Sequence, residues 1–309
     1  MGETGERTGD PGSERIECAV RRVCALAGET ARPDWPARVG ALDPSAPLDY
    51  AALALLLVRA WRSAGVRRAG ISGGQGTGKS TLARLIAAAG EQEGLRILVL
   101  ALDDYYLPRA QRLALARRVH PLFETRGPPG THDVALCREH LAALAGSAPI
   151  ELPVFDKGRD DRVGTRRVAG PFDLVLLEGW CVGAEPAGAA ALALPSNALE
   201  RVEDPTGIWR RHQDGELAGG YAALWSDLER LVFLRAPDLD AVRRWRLEQE
   251  AERPAHQRLD AAGVARFVAH YERITARLIA DPPPRADWRV ALAADHSIAA
   301  ITRRSPGGR

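Results

Sequence analysis

At 309 residues the chain is long enough to bury a sizeable core, and its 46% hydrophobic and 27% charged residues are ordinary for a globular protein. A formal net charge of +2 excludes a general attraction to nucleic acid or to an anionic membrane. No run of about 18 apolar residues suggests a membrane span, and residues 1–14 lack the apolar stretch of a signal peptide. The expectation is a cytoplasmic protein whose partner is a small molecule. Cys18, Cys24, Cys137 and Cys181 show no C-x-x-C spacing and read as reduced thiols. Lysine occurs only at Lys79 and Lys157, while arginine supplies the other 40 basic residues. A lysine that survives such a bias points to a position that needs one.

In chain order, residues 1–14 read as a disordered tail and 15–65 as an N-terminal helical extension. Helical spacing covers 15–30 and 48–64, the second through Leu53, Leu55, Leu56, Val58 and Trp61. From residue 66 the pattern alternates. Short apolar strands are expected at 66–71, 96–102, 173–178, 230–235 and 288–293, with helices at 79–92, 133–145, 215–229, 239–252 and 261–280. This predicts an α/β domain over 66–302, with a five-stranded, mostly parallel sheet covered by helices on both faces. Residues 103–132 and 146–170, rich in Arg, Asp, Gly and Pro, read as functional loops at strand ends, and 184–195 as a surface excursion.

Gly73, Gly74, Gln75, Gly76, Thr77, Gly78, Lys79 and Ser80 fit G-x-x-x-x-G-K-[ST], with Thr81 next in the helix. The strand leading in and the helix leading out supply the context that a chance Gly-rich turn lacks. Backbone N–H groups and the helix N-terminus would cradle phosphate, Lys79 would reach the β- and γ-phosphates, and Ser80 would ligate Mg²⁺. ATP and Mg²⁺ are therefore the expected cofactors. The Ser72-Gly73-Gly74-Gln75 string resembles an ABC-transporter signature but lies inside the loop itself, and no N-K-x-D motif for guanine is present.

The second expected strand ends in Leu102-Asp103-Asp104-Tyr105-Tyr106. A carboxylate there faces the ligand crevice and can take the proton of an attacking hydroxyl; a helix N-cap is the plainer use of the same Asp. Phe172 to Gly179 reads as four apolar residues between Asp173 and Glu178, the Walker B pattern, with Glu178 on the metal side. A buried strand that merely ends in Glu is the alternative.

Together these motifs resemble the P-loop kinases of small metabolites, such as uridine kinase, pantothenate kinase and phosphoribulokinase. The chain resembles more closely D-glycerate 3-kinase of plants and fungi and its bacterial relatives, through Arg126-Gly127-x-x-Gly130-Thr131-His132-Asp133, Pro153-Val154-Phe155-Asp156-Lys157, Glu178-Gly179-Trp180-Cys181-Val182-Gly183 and Arg244-Trp245-Arg246-Leu247 with Glu250. The resemblance implies phosphoryl transfer from ATP to a hydroxyl, with Lys79, Asp103, Asp104, Glu178 and Arg246 in catalysis. It leaves open which of Asp103 and Asp104 is the base. It also implies a lid at about 239–258 carrying Arg246, and an adenine near Leu292–His296. An anionic acceptor suits Arg126, His132, Lys157 and Arg162 in the two loops, with Tyr105 and Asp156 beside them, although Arg159 and Arg162 also suit a solvated surface and His132 a helix anchor. Another metabolite kinase of the uridine or pantothenate type, or a nucleotide-binding regulator without catalysis, are the rival readings.

Overall fold

A computed structural model describes residues 11–144, 146–251 and 258–304. Three helices come first: α1 (Pro11–Leu26), α2 (Trp35–Gly40) and α3 (Leu48–Ser63). Helix α3 is apolar all round, with Ala51 to Val58 buried without a break, and it is enclosed by α1, α2 and the later helix α4. The strand β1 (Arg68–Gly73) runs into the Gly-rich loop and α4 (Lys79–Gln92), and β2 (Ile97–Ala101) ends in a 3-10 turn over Leu102–Tyr105.

After α5 (Arg109–Arg118) and α6 (Val134–Ala143) comes a hairpin of β3 (Pro149–Asp156) and β4 (Asp161–Ala169), a separate two-stranded sheet. The chain returns through β5 (Leu174–Gly179), then α7 (Ala198–Glu203), α8 (Ile208–Glu216) and α9 (Ala222–Ser226). The remaining elements are β6 (Arg230–Arg235), α10 (Leu239–Ala251), α11 (Ala261–Ala269), α12 (Glu272–Ala280), β7 (Trp288–Leu292) and β8 (Ile298–Arg303).

The main sheet has the order β2-β5-β1-β6-β7-β8, parallel except for β8. Strand alternation divides its apolar side chains between two cores. Leu176, Val232 and Leu234 pack with α3 and α4, whereas Val175, Leu177, Leu231 and Phe233 pack with α6, Trp180 and Tyr221. Register sets Ile71 beside Glu178, and Glu178 beside Ala101, so β1, β5 and β2 finish at one level. That level is the crevice.

Several expectations change. The main sheet has six strands and not five, because β8 was hidden: only Ile298 and Ile301 of its six residues are buried, with no alternation to read. The stretch 146–170 contains the β3–β4 hairpin and is not all loop; its outer residues are polar and exposed, which masked the strands. The expected helix 261–280 breaks between α11 and α12, and 215–229 is interrupted by a π-type turn at Leu217–Tyr221, where Gly219 leaves helical geometry. The expected tail falls on residues 1–10, outside the described residues, and on 11–14, which already belong to α1. Residues 252–257 of the expected lid also lie outside the described residues. The helical extension shares its core with the sheet: Val20, Trp35 and Leu57 join Ile71, Leu176 and Val290 in one apolar cluster.

That shared core has a consequence for stability. Leu57 is fully buried, so Leu57→Ala is expected to destabilise the entire protein by about 2–5 kcal/mol. Urea unfolding should then show a single transition at a lower midpoint, for the sheet as well as the helices.

Candidate active site

The Gly-rich loop is shaped by contacts on both of its shoulders. Gly76 has φ 80° and Gly78 φ 74°, a left-handed region that side chains disfavour. A Cβ on Gly76 would run into Trp245 of α10, and one on Gly78 would come within 2.9 Å of the Tyr50 ring. The Tyr50 hydroxyl also donates to the Thr77 carbonyl at 2.8 Å, so α3 buttresses the loop directly. Thr77 Oγ1 and Lys79 Nζ both donate to the Gly74 carbonyl, at 2.8 and 3.0 Å. Burial lowers the pKa of Lys79, while Glu178 and Asp103 oppose the shift. The lysine is held across its own loop, facing two carboxylates.

Ser80 Oγ donates to Glu178 Oε1 at 2.7 Å. Burial raises the Glu178 pKa against the pull of Lys79. A hydroxyl and a carboxylate in contact are hard oxygen donors of the kind Mg²⁺ takes. Among the described residues no group of three or more His, Cys, Asp or Glu could hold a metal, so these two donors fit an ion that arrives with phosphate oxygens.

Asp103 stands opposite, in the 3-10 turn that leaves β2. Its Oδ2 pairs with Lys157 Nζ at 2.6 Å and its Oδ1 accepts from the Tyr106 hydroxyl at 2.8 Å. Burial would raise its pKa, but the charge and hydrogen bond of Lys157, with Tyr106, more than offset this and bring it to about 2. Asp104 differs. Burial raises its pKa, and its carboxylate is the acceptor for the Phe155 N–H at a long 3.5 Å.

A cavity of about 500 Å³ unites these groups: its wall includes Gln75, Gly76, Lys79, Ser80, Asp103, Asp104, Arg126, Lys157, Glu178 and Arg246. A second cavity, about 510 Å³, adjoins it and shares Arg126, Lys157, Arg246 and Phe267. Arg126 is aimed by an ion pair with Asp160, itself paired at 2.9 Å with the fully buried Arg112. Arg246 pairs with Glu250 and lies 4.7 Å over the Phe267 ring.

Four expected acceptor residues are placed elsewhere. Tyr105 is buried with its hydroxyl 3.2 Å from His140 Nδ1, because the tight 3-10 turn sends Tyr106 and not Tyr105 towards the cavity. His132 is buried beneath Tyr106, stacked at 4.6 Å and bonded through Nδ1 to the Tyr221 hydroxyl at 2.6 Å; burial lowers its pKa to about 4. Arg162 donates to the carbonyls of Tyr105 and Tyr106 and pairs with Asp133, holding the turn in place. Asp156 accepts from the N–H groups of Gly158 and Arg159 in the hairpin turn. The sequence reading missed Tyr106, Gln249, Phe267 and Tyr271 in the cavity wall, and Asp160 behind it. Phe267 and Tyr271 read only as the apolar face of a helix, with no local signal of a site.

The sheet order, the loop after β1 and the facing carboxylates define a P-loop kinase. No protein-family model matches the chain. It is 31% identical over 218 residues to an uncharacterised kinase of Schizosaccharomyces pombe, mug58, spanning 65% of this chain and 77% of that one. It is 28% identical over 249 residues to the chloroplastic D-glycerate 3-kinase of Arabidopsis thaliana, spanning 73% of this chain and about half, 51%, of the plant protein. The solved D-glycerate 3-kinase of Cryptococcus neoformans superposes with a TM-score of 0.66 at 25% identity, over 82% of this chain and 97% of that one. The chain belongs to the family of P-loop small-metabolite kinases that includes D-glycerate 3-kinase.

The loop makes a direct test of its own packing. Gly76→Ala sets a methyl group against Trp245, and an overpacked site of this kind is expected to lose about 1–3 kcal/mol. Gly94→Ala carries a similar backbone strain at φ 71° but meets no atom within 4 Å, and should lose less. Thermal unfolding of the two variants measures the difference.

Proposed function

We propose that the protein transfers the γ-phosphoryl group of ATP to a hydroxyl of a small hydroxy acid, with D-glycerate as the acceptor. The observation that carries the reading is the single cavity in which Lys79, the Ser80–Glu178 pair and the Asp103–Lys157 pair face one another. Phosphate chemistry occupies one wall and a candidate base with a cation the other.

The loop N–H groups and Lys79 bind the β- and γ-phosphates, and Ser80 with Glu178 would hold Mg²⁺, which supplies neutralisation of phosphate charge. Arg246, from α10, reaches the same cavity and offers a guanidinium to the oxygens of the transferring group. Asp103, rather than Asp104, accepts the acceptor's proton: it pairs with Lys157 and its field reaches Lys79 and Glu178, whereas Asp104 is turned to the Phe155 N–H. Lys157 and Arg126 stand where the two cavities meet and would take the acceptor's carboxylate. Sequence likeness to the plant D-glycerate 3-kinase runs over 73% of the chain, well beyond the phosphate loop, and supports glycerate over other alcohols.

The pairing of Lys157 with Asp103 gives the reaction a trigger. When the acceptor's carboxylate draws Lys157 away, Asp103 loses the strongest influence that holds its pKa down and becomes a better proton acceptor.

Purified protein with Mg-ATP should therefore release ADP with D-glycerate, and much less with pantothenate, nucleosides or glycerate amide. Turnover of pantothenate or a nucleoside with glycerate left untouched would overturn the acceptor and keep the kinase. Asp103→Asn should lower kcat by about 10²–10⁴-fold with little change in ATP affinity. If Asp104→Asn has that effect and Asp103→Asn does not, the two roles are exchanged.

Lys157→Ala should reduce kcat/KM for glycerate by roughly 1.5–3 kcal/mol, the scale of a hydrogen bond to a charged group. The same variant tests the trigger through pH. Asp103 is held at about 2, so activity that needs its ionised form is lost only as pH falls towards that value. Without Lys157 the folded-state pKa rises, and the acid limb of kcat/KM should move to higher pH.

A further inference from the structure

Of the described carboxylates that line the first cavity, Asp103 and Glu178 have tasks in the proposed transfer and Asp104 has none. Its surroundings fix where it stands. Asp104 follows Asp103 in the 3-10 turn, and its Oδ1 accepts the Phe155 N–H of β3 at 3.5 Å. Phe155 lies two residues before Lys157 in the chain, and its ring is 5.6 Å from the Arg126 guanidinium. Asp104 is therefore set between the candidate base and the two cations that face the acceptor's carboxylate. The charges of Arg166, Asp103 and Lys157 all act on it.

The two neighbouring carboxylates differ in what remains free. Both oxygens of Asp103 are engaged, one by Tyr106 and one by Lys157. Asp104 Oδ2 has no hydrogen bond or ion pair among the described residues, although the side chain lines the cavity. Burial disfavours its charged form, and a hydrogen-bond donor brought to Oδ2 would restore what desolvation removes.

A 2,3-dihydroxy acid brings such a donor. With its carboxylate at Lys157 and Arg126 and its terminal hydroxyl at Asp103, the C2 hydroxyl falls between the two. Once out of water, that hydroxyl needs an acceptor for its proton. We propose, on the glycerate reading, that Asp104 is the specificity residue of the acceptor site and that its Oδ2 accepts a hydrogen bond from the C2 hydroxyl. Two fixed ends and a third contact make a handed site, so one enantiomer satisfies all three. An acid without the C2 hydroxyl leaves a half-buried carboxylate unpaired, which is the strongest way for a polar site to reject an analogue.

3-Hydroxypropionate is that analogue: it keeps the carboxylate and terminal hydroxyl of glycerate and lacks only the C2 hydroxyl. By kcat/KM the protein should prefer D-glycerate to it by about 10- to 100-fold, the range of one hydrogen bond to a charged group. Asp104→Ala should bring that ratio close to one, and the preference for D- over L-glycerate should fall with it. Loss of a charge beside Asp103 alters proton transfer from both acids alike and cancels from the ratio. Asp104→Asn keeps an oxygen for the Phe155 N–H and an amide for the C2 hydroxyl, and should give an intermediate ratio. The inference fails if Asp104→Ala lowers both acids by one factor and leaves the ratio unchanged, as a residue that only ties the hairpin to the turn would do. It fails equally if both variants lose kcat on both acids by about 10²–10⁴-fold, which would make Asp104 the base. If the unaltered protein phosphorylates neither acid, the glycerate reading itself falls, a result distinct from an unchanged ratio.

Discussion

Both lysines of the chain and three of its carboxylates line one crevice, with Lys157 at its exposed rim, and the two sets offset one another's charge. Lys79 is desolvated and has its pKa lowered, Glu178 is desolvated and has its pKa raised, and each moderates the other's shift. Lys157 does the same for Asp103 at 2.6 Å. The arrangement is a near-neutral set of charges held close, which an anionic ligand can rearrange without leaving a charge stranded. The scaffold makes this possible by register: β1, β5 and β2 end side by side, so Gly73, Glu178 and Asp103 converge without long loops.

The parts that aim these charges are themselves polar and buried. Arg112 is fully buried, donates to the carbonyls of Leu107, Glu124 and Asp160, and ties α5 to the hairpin turn. Through Asp160 it fixes Arg126, whose guanidinium also lies 5.6 Å from the Phe155 ring. Arg162 likewise donates to the carbonyls of Tyr105 and Tyr106, the first of which also accepts the Asp133 N–H at 2.7 Å. Of the arginines that read as acceptor ligands or surface charge, Arg126 lines the cavity, Arg162 holds its wall, and Arg159 stays exposed beside Asp156 in the hairpin turn.

How much of this was legible follows from the range over which each signal acts. The phosphate loop could be read because its glycines, lysine and serine are contiguous and each is forced by local geometry. Asp103 and Glu178 could be read because each ends an apolar strand, and strand ends face the crevice. Tyr50 could not, since a tyrosine in an unbroken apolar run looks like core, and its contact with Thr77 spans 27 residues of sequence. Tyr105 and Tyr106 exchanged places because the pitch of one 3-10 turn decides which ring faces inward. The β3–β4 hairpin escaped because only its inner residues, such as Leu152 and Phe155, are buried.

On the proposed reading, the low pKa of Asp103 becomes a selectivity device instead of a defect. A carboxylate held at about 2 is ionised at any working pH, yet it is a weak proton acceptor while Lys157 and Tyr106 occupy its oxygens. Water and neutral alcohols bring no charge to compete for Lys157, so they meet the base at its weakest. An acid brings that charge, exchanges it for the lysine, and strengthens the base at the moment its own hydroxyl is in reach. Lysine serves such an exchange better than arginine would, because a compact ammonium on a flexible stem can pass between two carboxylates that a rigid bidentate fork would lock to one. In a chain that uses arginine almost everywhere else, that difference gives Lys157 a chemical reason to have stayed a lysine.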